Sequence, residues 1–306
     1  MTHIAPSLPP LDITRAPEGG EIGPVQTGWR LAVREFARNR LALIGLGVLA
    51  FFVIFCFLGP VIYHGNTVSS NLVATNLGPS GGHPLGTTSQ GFDEFGLLMK
   101  GGQAALEVGF FAAVIGITIG AVYGAVAGLV GGFIDSIMMR VVDVFLSIPF
   151  LFVVLIIAVR YGASVLGLSV IIGAYFWLVP ARLVRAEVLT LRERDFVSAA
   201  RIAGASRLRL ISRHLIPNAL GVMIVNVTFN VADAILAVAA LGYLGFGLHY
   251  PNQDWGDMLS NGIQFMQDGY WWLVYPVGAC IVVVVMACNL IGDALRDSLD
   301  VRLRRR

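Results

Sequence analysis

The chain has 306 residues, 56% of them hydrophobic and 13% charged, with a net charge of +2 and a mean hydropathy of +0.76. A water-soluble domain carries roughly 25% charged residues, so this composition excludes an ordinary soluble fold and makes lipid the main solvent of the chain. So small a net charge gives no reason to expect a nucleic-acid partner, and the placement of the charges says more than their sum.

Residues 1–28 are rich in Pro, Gly and polar side chains and lack the apolar core of a signal peptide, so a disordered tail is expected there. In 29–38, Trp29, Val33, Phe36 and Ala37 share one helical face and Arg30, Arg34 and Arg38 another. Residues 29–40 read as an amphipathic helix in the headgroup layer, or as a plain basic flank of the first span. Six apolar runs follow that are long enough to cross about 30 Å of hydrocarbon, which takes about 20 helical residues. They are expected over 41–63, 108–130, 141–159, 165–181, 220–243 and 271–291. With the N-terminus in the cytoplasm, 19 of the 21 basic residues fall on the cytoplasmic side, and only Lys100 and Arg160 fall outside. The fold class expected is all-α and polytopic: six transmembrane helices over 41–306, both termini cytoplasmic, external segments 64–107 and 244–270, and a long cytoplasmic loop 182–217.

The second span carries Gly116, Gly120, Gly124 and Gly128 at four-residue spacing. That spacing lines one helix face with hydrogen atoms, either to let another helix approach closely or to line a groove for a substrate. The fifth span holds the one deep acid, Asp233, a structural or pathway residue or a coupling relay. Cys56, Cys280 and Cys288 lie in apolar runs without metal-ligand spacing, and the five histidines are scattered, so no metal site is expected. There is no Gly-Lys-Ser/Thr phosphate loop and no catalytic constellation. An ATP-driven reading therefore needs a second chain to bind ATP, and the rival readings are an ion-coupled carrier or channel and a membrane enzyme.

The loop 182–217 carries the densest signal. Asp195 suits an N-cap, 196–203 suit two helical turns, Gly204 suits the left-handed residue that ends a helix, and Ser206 suits the cap of a second helix ending near Pro217. Ala199 and Ala200 present almost no side chain, so the first helix can seat deeply in a partner's groove, with Phe196 and Ile202 as apolar anchors and arginines at the rim. The alternative is a helical hairpin that rests on the membrane.

The stretch Ser198-Ala199-Ala200, then Gly204 and Pro217 at the expected spacing, resembles the signature loop of importer permeases of the ATP-binding cassette superfamily, with Ser198 in place of the usual glutamate. His83-Pro84-Leu85-Gly86-Thr87, Gly131 through Asp135, Arg140 and Asp143, Ser147-Ile148-Pro149, Ala181 through Glu187, Asp254 through Leu259 and Asn289 through Asp297 resemble the dipeptide/oligopeptide branch, and its C-type permease most of all. One departure stands out. That branch follows His-Pro-Leu-Gly-Thr with an acid, two residues and Gly-Arg-Asp, whereas here Thr88 replaces the acid and Phe92 the arginine, ahead of Asp93.

The resemblance implies a type I importer permease in a bacterial inner membrane and no cofactor on this chain. It implies a homologous permease as partner in a heterodimer, two cytoplasmic ATPases that hold ATP and Mg, an extracytoplasmic binding protein and a peptide substrate. Asp195, Phe196, Ser198, Ala199, Ala200, Gly204 and Pro217 are then expected to couple to the ATPases. His83, Pro84, Gly86, Asp93, Asp254 and Trp255, in the segments 83–93 and 250–268, are expected to gate the external side or meet the binding protein, or else to form a scaffold cap over the pore.

Overall fold

A computed structural model describes residues 28–161, 164–248 and 252–304. The expected tail lies outside them apart from Gly28, which opens the first helix, α1 (Gly28–Arg38). The second helix, α2 (Arg40–Ile62), is started by Asn39, whose side chain accepts from the Leu41 and Ala42 amides, and its run holds no charge after Arg40. The next, α3 (Glu94–Val130), has 37 residues, about 55 Å at 1.5 Å per residue, so it projects well beyond a hydrocarbon layer of about 30 Å. The last third of the segment expected to be external before the second span, residues 94–107, is therefore helical.

The third and fourth spans are not the unbroken helices expected. They are the pairs α4 (Gly132–Leu146) and α5 (Phe150–Tyr161), bent by 78°, and α6 (Val165–Phe176) and α7 (Leu178–Leu191), bent by 43°. Pro149 explains the first break, because it cannot donate and it drives Ile148 away from helical backbone. Pro180 explains the second, because its missing N–H frees the carbonyl four residues back, at Phe176. Among the described residues four segments are long, apolar and unbroken: Arg40–Ile62, Glu94–Val130, Arg207–Tyr243 and Trp271–Leu299. Counting each bent pair as one span gives up to six.

After α7 come α8 (Asp195–Ile202), α9 (Arg207–Leu210), α10 (Ile216–Tyr243), α11 (Trp255–Ile263) and α12 (Tyr275–Arg304). No strand occurs among the described residues, only an isolated bridge between Thr87 and Asp93. The centre of the fold is α3, which packs on α2, α6, α7 and α10, while α12 closes the other side against α10, α2 and α1. At one end of α3 a core joins Phe52 and Cys56, Leu97 and Leu98, Trp255 and Met258, and Ile281 and Val284. At the other end a separate core joins Ala121 and Ala125 to Val184, Val188, Val197, Leu210 and Leu215. On α2, Leu41, Ile44, Phe51, Ile54 and Leu58 remain exposed, as expected of a helix whose outer face meets lipid rather than water.

Candidate functional site

Two assemblies of polar and apolar side chains sit at opposite ends of α3: a helical hairpin made by α8 and α9, and a cap made by the segment before α3 together with α11. In the hairpin, α8 starts one residue earlier than its sequence suggests. Arg194 holds the N-cap position without a side-chain bond, and Asp195 is the first helical residue. There its charge opposes the helix dipole, so it still favours the helix start, but not as a capping acceptor. The helix ends in a Schellman motif, with the Ala205 amide donating to Ala200 O and the Gly204 amide to Arg201 O, both at 3.0 Å. Gly204 sits at φ +82° with nothing within 4 Å of the position a Cβ would take, so the backbone rather than space calls for glycine. Ser206 caps α9 by accepting from the Arg209 amide at 3.3 Å.

The second helix does not stop at Pro217. It passes through a π-helical turn, Ile211–Leu215, straight into α10, with Pro217 in the first turn of α10. The wider turn lets the Ile216 amide reach Ile211 O, and the Asn218 side chain donates to His214 O at 2.6 Å. The chain thus absorbs the missing proline N–H without breaking, which single-residue propensity does not foresee. With α7 running to Leu191, only 192–194 and 203–206 of the expected loop 182–217 are non-helical.

Val197 is the hairpin's buried anchor, packed with Val188, Leu210 and Leu215. Ser198, Ala199 and Ile202 point away from that anchor and are exposed, Ile202 to 88%, and Leu208 is 76% exposed beside them. Phe196 is less free, because its ring lies 6.4 Å from that of His214. Arg194, Arg201, Arg207, Arg209 and Arg213 are exposed around this apolar surface.

The hairpin continues from α7, and α7 is bound tightly to α3 and α4. Cβ atoms on Gly120, Gly124 and Gly128 would lie 2.8 Å from Trp177 O, 2.3 Å from Ala181 O and 2.8 Å from the Val188 side chain, and one on Gly116 would lie 3.0 Å from Phe176. The glycine stripe thus lets the α6–α7 backbone approach α3 directly. Asp135 of α4 takes a bidentate pair of bonds from Arg185 of α7, at 2.5 and 2.6 Å, and Asp143 pairs with Arg182. Arg192 ties the end of α7 to Gly128 O at 3.0 Å. Sequence reasoning quoted these acids and arginines as parts of motifs without pairing them. The available signal was two acids eight residues apart on one helix and two arginines three apart on another.

At the cap, Asp93 is fully buried and starts α3. Its Oδ1 accepts from the Gly96 amide at 2.8 Å, and its Oδ2 takes the Tyr63 hydroxyl at 2.8 Å and lies 2.7 Å from His83 Nδ1. Burial, and then the Asp93 carboxylate that it meets, push the Tyr63 phenol up to about 12. Gly86 turns at φ +72° against Leu77 O and the Trp272 ring, and Pro84 beside it is exposed. Asp254 is also fully buried, accepting from the Gly256, Asp257 and Leu248 amides at 2.8, 3.0 and 2.8 Å. Burial pushes its carboxyl up to about 6, against the lowering effect of those backbone bonds. Trp255, 1% exposed, donates from Nε1 to Leu98 O at 2.9 Å and lies edge-on to Phe52, fastening α11 to α3 and α2. Of the six residues expected at this side, Pro84 alone is exposed and His83 is partly so; the other four are internal. Among the described residues no group of His, Cys, Asp or Glu is arranged to hold a metal.

Long apolar helices, two broken pairs and a core that follows α3 from end to end define a multi-pass membrane protein, with an exposed, arginine-rimmed apolar hairpin at one end. Residues 116–305 match the family of binding-protein-dependent transport system inner membrane components, and residues 27–79 match the N-terminal transmembrane domain of oligopeptide transport permease C. The chain is 37% identical to the dipeptide transport system permease protein DppC of Bacillus subtilis, over 90% of this chain and 86% of that one. It is 38% identical to the oligopeptide transport system permease protein OppC of Escherichia coli K12, over 89% and 90%. A putative peptide transport system permease protein of Brucella abortus is 38% identical, over 90% and 92%. The chain belongs to the binding-protein-dependent inner-membrane permease family, as a non-catalytic permease subunit of an ATP-binding cassette importer.

Proposed function

We propose that this subunit forms half of a peptide translocation pathway and is moved by separate ATPases that dock on the α8–α9 hairpin. The observation that carries the reading is the exposed Ser198, Ala199, Ile202 and Leu208 surface, whose hairpin is held by the buried Val197 and Leu210 and follows a helix, α7, that is itself clamped to α3 and α4. A push on α8 is delivered through α7 to two spans at once, which is what rigid-body coupling requires. In this reading the chain crosses a bacterial inner membrane six times, counting each bent pair as one span, with both termini and the hairpin cytoplasmic. The positive-inside placement of the arginines supports that orientation, and α1 lies in the headgroup layer.

A homologous permease supplies the other half of the pathway, the ATPases hold ATP and Mg, and an extracytoplasmic binding protein delivers the peptide to the cap. Asp233 supports the heterodimer. It lies near the middle of α10 and is exposed, and lipid does not accept a carboxylate at that depth, so its face turns to the sister subunit or the pathway. The burial of Asp93, Asp254 and Trp255 favours the cap as scaffold, leaving Pro84 and the polar surface around it for contact.

The test is Gly204→Val in an assembled complex. A β-branched residue at φ +82° adds strain of roughly 1–2 kcal/mol and tilts α8 against α9. Uptake and substrate-stimulated ATP hydrolysis are expected to fall about tenfold or more while assembly is retained. Wild-type values for both would contradict the reading.

A further inference from the structure

The cap contains one acid that the account above leaves idle. Glu94 follows the capping residue of α3, is 2% exposed, and its Oε1 meets no hydrogen-bond donor. Tyr63, His83 and the Gly96 amide are all engaged by Asp93 next to it. Instead Glu94 lines a cavity of about 80 Å³, together with Thr88, Gln90, Phe92, Gln253 and Asn261. The Gln253 Oε1 is buried without a donor as well. One small cavity therefore holds two orphaned acceptors, one of them a carboxyl oxygen.

A second, open cavity of about 470 Å³ shares Gln90, Phe92, Gln253 and Asn261 with the first and adds Asp257. Among the described residues no lysine, arginine or histidine lines either space. Phe92, 6% exposed, lines both spaces and brings no charge to them. An ionised carboxylate without donors is unfavourable in such a setting; a neutral carboxyl avoids that cost while the space is empty, and a cation that carries N–H donors offsets it when the space is filled. A hard divalent ion is bound by six or more oxygens, several of them usually carboxylates, and Glu94 is the one acid among the described residues that line this cavity. An ammonium group brings three N–H donors and one charge. The space is more than twice the roughly 30 Å³ that a water occupies, enough for an ammonium head and its first carbon.

We propose that this cavity binds a primary ammonium group, held by the Glu94 carboxylate and the Gln253 amide oxygen, with the rest of the ligand lying in the adjoining open vestibule. The ammonium site stands on this geometry; that its natural occupant is the amino terminus of a peptide rests on the proposed function. A lysine of a docked protein is the other source of the same chemistry.

The test uses the purified subunit with its co-purifying partners in lipid nanodiscs, and reads the thermal midpoint in methylammonium chloride against equal tetramethylammonium chloride, which has no N–H donor. The wild type is expected to gain about 2 °C or more from methylammonium, and Glu94→Gln is expected to gain nothing. Phe92→Arg, which supplies a guanidinium within the chain, is expected to gain nothing either, from a higher starting midpoint. Alanyl-alanine raising the midpoint where N-acetyl-alanyl-alanine does not identifies a peptide amino terminus as occupant. A methylammonium effect with both dipeptides silent keeps the site and assigns it to a protein lysine, against a substrate role. Equal midpoints in the two salts for the wild type, or an equal gain in Glu94→Gln, would overturn the ammonium site.

Discussion

The cap and the hairpin are built by opposite rules. The cap buries its polar groups and bonds its two anchoring acids within the chain: Asp93 and Asp254 take three partners each, and the indole donor of Trp255 is used, while Asn76, Glu94, Gln253 and Trp272 each keep one buried polar atom without a partner. The hairpin buries one side chain of α8, Val197, and leaves Ile202 and Leu208 in the open. A segment whose anchoring acids are bonded within the chain serves as a platform, whereas exposed apolar surface inside an arginine rim has the makeup of an interface. On the proposed function, the contrast separates the part of the subunit that stands by itself from the part that other chains complete.

The contrast is best tested where it predicts the largest effect. Trp255→Ala removes the indole that fastens α11 to α3 and is expected to cost about 3–5 kcal/mol, read as a lowered thermal midpoint and lost amide protection over Trp255–Ile263. Next comes the clamp between α7 and α4. Asp135→Arg or Arg185→Asp alone is expected to cost about 1–3 kcal/mol, since the pair is partly exposed, and the double exchange should recover much of it. If the exchange recovers nothing, the pair is not the link that lets the hairpin move the spans.

The smallest effect is a pH dependence confined to the cap. Burial holds the Asp254 carboxyl at about 6, above its ordinary 3.8, so the folded cap binds the proton more tightly than the unfolded chain does. This contribution to stability is fully present below about 3.8 and is lost as pH rises through about 6. Amide protection of α11, corrected for intrinsic exchange, should therefore rise on acidification from neutral pH through this window, while protection of α8 stays flat. Asp254→Asn should remove the rise.

Much of this was legible in the residues. The charge-free run after Arg40 gave α2, and the four-residue glycine spacing marked the α3 face that α7 approaches. Gly204 announced its left-handed turn, because few other residues adopt φ +82° without strain. What escaped was set by packing and by competition between neighbours. Asp195 lost the cap position to the backbone of Arg194, and Pro217, a helix stop by propensity, was absorbed by a π-turn. The bend at Trp177 hides inside an apolar run, with Pro180 as its only sign. Asp135 and Arg185 are 50 residues apart and meet only once α4 and α7 have packed. Glu94 drew no notice because its isolation arises only once the cap has packed, with Tyr63, His83 and the Gly96 amide all engaged by Asp93.

The central claim is that a separate ATPase grips the outward face of α8. Ser198 is exposed on that face, and the native cysteines Cys56 and Cys288 are buried, with Cys280 partly so. Ser198→Cys, treated with a short thiol-reactive cross-linker in a complex that hydrolyses ATP, should yield an adduct with the ATPase chain whose amount changes with nucleotide. Leu72→Cys, exposed at the cap end, should yield none. An active complex that forms no adduct at Ser198 under any nucleotide condition would contradict the account.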